Sequence, residues 1–247
     1  LTYISVDDYK TKKFNFILTI DELKDFFYKS IDDYTRWHQT LSEASTVKLD
    51  TLKDITFPFA NKRQGQSELM KATYLTMKAN SILYAIAPTG IGKTMATIFS
   101  TLKSMTKPNE KLFYLTAKTI GREVAIDSFR MLQNEGLKLH AIVISSKAKS
   151  CASKMQHCDP EKCSFAKGYF SRLRQAIEDI YTNEILYNQE TIMKYALKYN
   201  ICPFEYSLDL SYFCDAIICD YNYVFDPKAH LIRYFEDTEY QPKILCD

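Results

Sequence analysis

The sequence predicts an α/β fold: a mostly parallel sheet flanked by helices, interrupted by a helical insertion that carries four cysteines. Three observations predict it. Short apolar runs at 82–88, 112–117, 140–145, 215–221 and 243–247 alternate with amphipathic stretches of helical period. The first run leads into a glycine-containing loop that ends in Gly92-Lys93-Thr94. The third and fourth runs are too far apart for a simple crossover, and the gap holds Cys151, Cys158, Cys163 and Cys202.

Taken in order, residues 1–54 read as a linker or the tail of a preceding domain. Leu23, Phe26, Phe27, Ile31 and Tyr34 recur there at helical spacing, with Asp21 as a candidate cap. Residues 55–146 form the first part of the α/β domain. The run ILYAIAP at 82–88 is the first expected strand, followed by a helix from about Lys93. LFYLTA at 112–117 is the second, followed by a helix from Gly121 to about Asn134, and HAIVIS at 140–145 is the third. Residues 147–212 are the insertion, with helices expected over 165–181 and 189–199. Residues 213–247 return to the sheet through DAIICDY and KILCD. The missing initiator methionine and the strand-like last residues read as a segment of a longer chain.

Composition narrows the class. Hydrophobic residues make up 46% and aromatics 14%, enough for a packed core, and glycine is scarce at 6. The start lacks a basic region followed by an apolar run, and no apolar stretch is long enough to span a bilayer. The chain therefore reads as soluble and cytoplasmic, and seven cysteines in a reducing compartment point to metal ligation or burial rather than disulfides. The formal net charge of +2 says nothing about a nucleic-acid partner. Locally, seven basic residues between 141 and 175 (Lys147, Lys149, Lys154, Lys162, Lys167, Arg172, Arg174) stand against Asp159 and Glu161.

The strongest motif is Ala87-Pro88-Thr89-Gly90-Ile91-Gly92-Lys93-Thr94. A loop between strand and helix offers successive backbone N–H groups and the positive end of a helix dipole to phosphate. Glycines let the backbone come close, a lysine reaches the terminal phosphates, and a threonine hydroxyl ligates Mg2+. Upstream, Arg63 and Gln66 offer donors and an acceptor suited to an adenine edge. Downstream, Thr116, Lys118 and Thr119 suit phosphate contacts on a nucleic-acid backbone. The four cysteines are spaced x6, x4 and x38. Structural zinc favours pairs two to four residues apart, so spacing alone leaves zinc and an iron–sulfur cluster both open. Cys214, Cys219 and Cys246 sit in or beside apolar runs and read as small core residues.

In this order the motifs resemble the first half of a superfamily 2 helicase, most closely the XPD/DinG family of iron–sulfur DNA helicases in its bacterial form. The matching stretches are FPFANKRQGQ (57–66), APTGIGKT (87–94), FYLTAKTIGRE (113–123), the four cysteines with Cys202-Pro203-Phe204-Glu205, DAIICDYNYVFDP (215–227) and ILCD (244–247). The resemblance implies a RecA-like domain that uses ATP and Mg2+ to translocate 5′ to 3′ on single-stranded or forked DNA. It assigns Lys93, Thr94 and the loop residues Thr89, Gly90, Ile91 and Gly92 to phosphate and Mg2+. Arg63 and Gln66 would read adenine, and Asp247 would organise the metal. Cys151, Cys158, Cys163 and Cys202 would hold a 4Fe–4S cluster, with Lys167, Arg172 and Arg174 tracking DNA phosphates. The glutamate expected after Asp247 and a second RecA-like domain with its arginine finger are not in these residues. An arginine finger is worth about 10³–10⁵ in rate, so the fragment is expected to bind nucleotide without turning it over. The reading from a different class is a zinc-stabilised nucleotide-binding switch or scaffold.

Overall fold

The computed structural model describes residues 2–4, 10–153, 158–159, 161–228, 231–236 and 240–247. It divides into two compact units, residues 1–42 and 43–247.

The first unit pairs β1 (Thr2–Ile4) antiparallel with β2 (Thr11–Lys13), Tyr3 opposite Lys12, and contains the start of α1 (Ile20–Asp54). Thr19, rather than Asp21, caps that helix. The Glu22 backbone N–H donates to Thr19 Oγ1 at 3.2 Å, while the Glu22 carboxylate accepts from the Thr19 backbone N–H at 2.7 Å. This reciprocal Thr-x-x-Glu arrangement satisfies two N–H groups that would otherwise lack partners.

In the second unit, α2 (Gln66–Ala79) packs on α3 (Lys93–Ser104). Then come β3 (Glu110–Leu115), α4 (Thr119–Asn134), β4 (Ala141–Val143) and the short α5 (Lys147–Ser150). They are followed by α6 (Tyr169–Asn183), β5 (Leu186–Tyr187), α7 (Gln189–Tyr199) and α8 (Pro203–Leu210). β6 (Ala216–Cys219), α9 (Asn222–Phe225) and β7 (Gln241–Cys246) complete the order. The sheet is wholly parallel in the order β5-β4-β6-β3-β7, with Leu112 opposite Ala216 on one side and Lys243 on the other. Period-2 alternation sorts β3 between its faces. Leu112 and Tyr114 join the core beneath α3 and α4, with Ile98, Leu102, Phe129 and Leu132. Phe113 points to the other face, against Tyr234 and Phe235.

Three expectations change. The last turns of α1 are not a linker, because Lys48, Leu52 and the following Ile55 are buried in the second unit's core. The insertion is helical, as its periodicity implies, but it also lends β5 to the edge of the sheet beside β4. The apolar run at 82–88 is not a strand. Ile82 and Tyr84 are 81% and 91% exposed, and residues 82–85 line a cavity of about 910 Å3 together with Pro242–Asp247 of β7 and its end. A strand exists only where a neighbour accepts and donates its backbone hydrogen bonds. The run has no such partner among the strand pairings and shares only the cavity with β7.

Candidate nucleotide site and cysteine cavity

The phosphate loop is shaped from below by residues upstream of it. Gly90 and Gly92 take positive φ of 84° and 76°, conformations that side-chain-bearing residues avoid. A Cβ on Gly92 would also lie 2.7 Å from the Gln66 side-chain nitrogen, which would have to shift. Gln66 is 3% exposed, donates from Nε2 to the Ile91 carbonyl at 2.9 Å and accepts the Arg63 backbone N–H at 3.1 Å. Its amide retains one N–H and one lone pair. The Arg63 guanidinium donates to the Gly90 carbonyl. Both residues singled out for adenine thus brace the loop. Lys93 opens α3 with Gly92 as cap, and its ammonium donates to the Ala87 and Pro88 carbonyls at 3.1 and 3.0 Å. Thr89 and Gly90 are exposed at the tip.

The second group of residues arrives from the carboxyl ends of the strands. Asp247 follows β7, and its N–H donates to the Leu115 carbonyl at 3.0 Å, extending the pairing with β3. Lys93, Thr94, Tyr114 and Asp247 line the same 910 Å3 cavity. An ammonium, a hydroxyl and a carboxylate meeting in one cavity beside a loop of this shape form a donor set that suits a nucleotide phosphate with a divalent cation. Three residues here escape sequence reasoning. The Tyr221 hydroxyl donates to the Asp247 carbonyl. Gly121 lies so close that a Cβ would come within 2.5 Å of Thr116 Oγ1 and 3.1 Å of Asp247 Oδ2. Tyr114 is 1% exposed, with its hydroxyl 3.4 Å from Thr94 Oγ1. Burial, together with the neighbouring Asp247 charge, raises its phenol well above the ordinary range, so it stays protonated.

The proposed DNA contacts are scattered. Thr116 is corrected: it is 1% exposed, and its Oγ1 accepts the Lys118 backbone N–H at 3.3 Å, so its hydroxyl belongs to the interior. Lys118 and Thr119 are exposed at the start of α4. Lys167 is exposed, but Arg172 is committed inside the insertion, donating to the Lys167 and Asn200 carbonyls at 2.7 and 2.8 Å. Arg174 pairs with Glu178 at 2.8 Å. Tyr169 is buried with its hydroxyl on Asp209 at 2.8 Å, whereas Phe170 is 82% exposed. Lys154 lies outside the described residues.

Cys151, Cys158, Cys163 and Cys202 line a single cavity of about 260 Å3, together with Lys147, Phe165 and Phe204. Cys151 caps the end of α5, and Cys202 precedes Pro203 at the start of α8. Burial raises the Cys202 thiol, while the backbone N–H groups of Phe204 and Glu205 oppose that rise. For Lys147 burial works against the charge, but the Cys158 thiol and Glu205 outweigh it and hold the ammonium above its ordinary range. Among the described residues, no three Cys, His, Asp or Glu side chains converge closely enough for a single ion. Four thiols around one cavity are a donor set that suits a thiolate-bound metal group, a zinc ion and an iron–sulfur cluster alike. Cys214 and Cys219 are buried in the core, and Cys246 is exposed on β7.

Residues 130–238, just under half of the chain, match the family model described as DEAD_2. The fold matches a solved structure titled XPD_Helicase with a TM-score of 0.51 and 22% identity, covering 75% of this chain and 32% of that one. A structure titled Truncated XPD gives a TM-score of 0.49 at 20% identity, covering 72% of this chain and 51% of that one. The chain thus spans about a third and about half of the lengths of these two solved chains. No curated protein matches it. Among the described residues no helix is long and apolar enough to cross a membrane. The segment that matches the DEAD_2 model is thus seated in an α/β sheet of this order, and the fold is similar to that of the solved structure titled XPD_Helicase.

Proposed function

We propose that this chain is the ATP-binding half of an ATP-dependent DNA helicase that moves 5′ to 3′ on single-stranded or forked DNA, with a 4Fe–4S cluster in its cysteine cavity. One observation carries the reading: Asp247, distant in sequence from the adjacent Lys93 and Thr94, lines the same cavity as they do. The N–H groups of the loop and of the start of α3 receive the phosphates, and Lys93 moves from the Ala87 and Pro88 carbonyls to the terminal phosphate oxygens. Thr94 and Asp247 face the metal, which when bound neutralises charge developing on the transferred phosphoryl group. The adenine edge meets Arg63 and the remaining N–H and lone pair of Gln66. Cys151, Cys158, Cys163 and Cys202 supply thiolates to the cluster. Lys118, Thr119 and Lys167 are the exposed cations and hydroxyls offered to DNA phosphates.

The test is equilibrium binding of a fluorescent ATP analogue to the chain and to Lys93→Ala, with iron, sulfide and zinc analysed on anaerobically purified protein. The reading expects micromolar binding that the substitution abolishes, together with absorbance near 400 nm. Stoichiometric zinc without sulfide sinks the cluster, and equal binding by both proteins sinks the nucleotide site.

A further inference from the structure

Within the first unit, α1 carries a repeat that its own fold leaves uncovered. Ile20, Phe27, Tyr34 and Leu41 recur every seven positions, and Leu23, Ser30 and Trp37 recur on a second seven-residue track three places later. At 3.6 residues per turn both tracks fall on one face of the helix. An apolar repeat of seven is the pattern that lets two helices coil around each other. Phe26 and Ile31 border that face, while Asp21, Glu22, Asp25, Lys29, Asp32 and Arg36 occupy the outer positions. Ile20, Leu23, Phe26, Phe27, Ile31 and Tyr34 are each between 43% and 72% exposed, and Trp37 and Leu41 are half-buried. Ser30 is the polar member of the seam. Its hydroxyl donates to the Phe26 carbonyl at 2.7 Å, so its proton is already satisfied within the helix.

We propose that a second copy of this chain covers this face, its α1 lying parallel and in register to form a two-stranded coiled coil over residues 20–41. The inference is independent of the nucleotide reading. Area supports it first. With roughly 200 Å2 on each fully exposed side chain of this size, the six leave on the order of 700 Å2 on one chain, close to the about 800 Å2 per partner of a standard stable interface. The flanks support a like partner in parallel orientation. In a parallel pair, the residue just before one turn's first seam position meets the residue five places later on the other helix. That rule sets Phe26 beside Ile31 of the second copy and Asp33 beside its His38, apolar with apolar and acid with imidazole. A full antiparallel overlap would instead bring Lys24 near His38 and Phe26 near Asp33. The helix also begins where the seam begins, because the Thr19 and Glu22 cap fixes its first turn.

Sedimentation equilibrium of the 247-residue chain across micromolar concentrations tests this, with Phe27→Glu and Tyr34→Glu as variants. Both side chains are exposed in the single chain, so neither substitution is expected to change its thermal unfolding at low concentration. The expected result is a reversible dimer whose dissociation constant rises by about tenfold or more in each variant, because a carboxylate then enters an apolar seam. Oxidative crosslinking reads the orientation without any change to the seam's charge. Ser30→Cys places like thiols face to face in a parallel, in-register pair, whereas Asp32→Cys lies on the outer face. Rapid dimer crosslinking is expected at position 30, and at position 32 only the background of the unaltered chain. A chain that stays monomeric at the highest concentration, or forms a trimer, overturns the inference. So does a dimer that both glutamate variants leave intact, or crosslinking that is no faster at position 30 than at position 32.

Discussion

Lys48 lies in a stretch whose local sequence looks like a solvated helix end, yet its side chain is 3% exposed and its ammonium sits 2.7 Å from Asp215. It also donates to the Pro108 carbonyl at 2.8 Å, while the second Asp215 oxygen accepts the His140 backbone N–H at 3.2 Å. Lys48→Ala therefore strands a carboxylate at the foot of the sheet. Removing one partner of a buried pair costs roughly 3–5 kcal/mol. The 18% exposure of Asp215 and its remaining bond to His140 place this case at the lower end, about 3 kcal/mol. For a unit of this size that corresponds to a fall in Tm of about 6–12 °C. The assay is urea unfolding followed by circular dichroism, with Lys48→Met/Asp215→Asn as the companion. The double variant leaves no isolated charge and is expected to recover at least half of the loss. A single variant within about 1 kcal/mol of the unaltered chain, or a double variant no better than the single one, refutes the account.

The same corner makes a pH prediction. His140 stacks on Tyr181 at 3.9 Å and meets the Tyr187 hydroxyl at 2.5 Å. Burial lowers its pKa to about 4, with Lys48 adding to the effect and Asp215 opposing it. A depressed pKa means the unfolded chain takes up the proton first. Its contribution is complete above the unfolded value of about 6.5 and is lost as pH falls toward 4, about 2 kcal/mol between pH 7 and 5. His140→Gln should flatten that part of the urea midpoint's pH profile. Gly121→Ala forces a methyl against Thr116 and Asp247. It should cost about 1–3 kcal/mol of stability and weaken Mg2+-dependent nucleotide binding, read by calorimetry. Gln66→Ala removes the donor to the Ile91 carbonyl. It should loosen nucleotide binding by about fivefold, the equivalent of one hydrogen bond of about 1 kcal/mol. Arg172→Glu breaks bonds to the Lys167 and Asn200 carbonyls. It is expected to lower the insertion's thermal stability more than it alters the salt dependence of single-strand binding.

Helices α3, α4 and α7 and strands β3 and β6 are legible in the sequence because each carries its own pattern: an apolar period, a glycine before it, an asparagine after it. What local pattern cannot encode is pairing. ILYAIAP has every intrinsic mark of a strand, but strand formation depends on the backbone of a neighbour that this run does not reach. The last turns of α1 look polar because a lysine there is buried against an aspartate 167 positions away. Thr116 reads as a surface hydroxyl until the register of β3 shows that it continues the buried run. The phosphate loop was visible because its glycines and lysine are contiguous. Tyr114 and Gly121 were not, since each owes its place to packing between elements. The four cysteines show both sides of this: spacing left two ligand chemistries open, and packing brings all four to one cavity.

The way the insertion rejoins the sheet has a mechanical corollary. Cys202 stands at the threshold of α8, and α8 passes through one further helical turn into β6, the middle strand of five. β6 ends beside Tyr221, which holds the Asp247 carbonyl. The cysteine cavity and Asp247 are thus joined by one short stretch of chain, from the start of α8 through β6 to Tyr221.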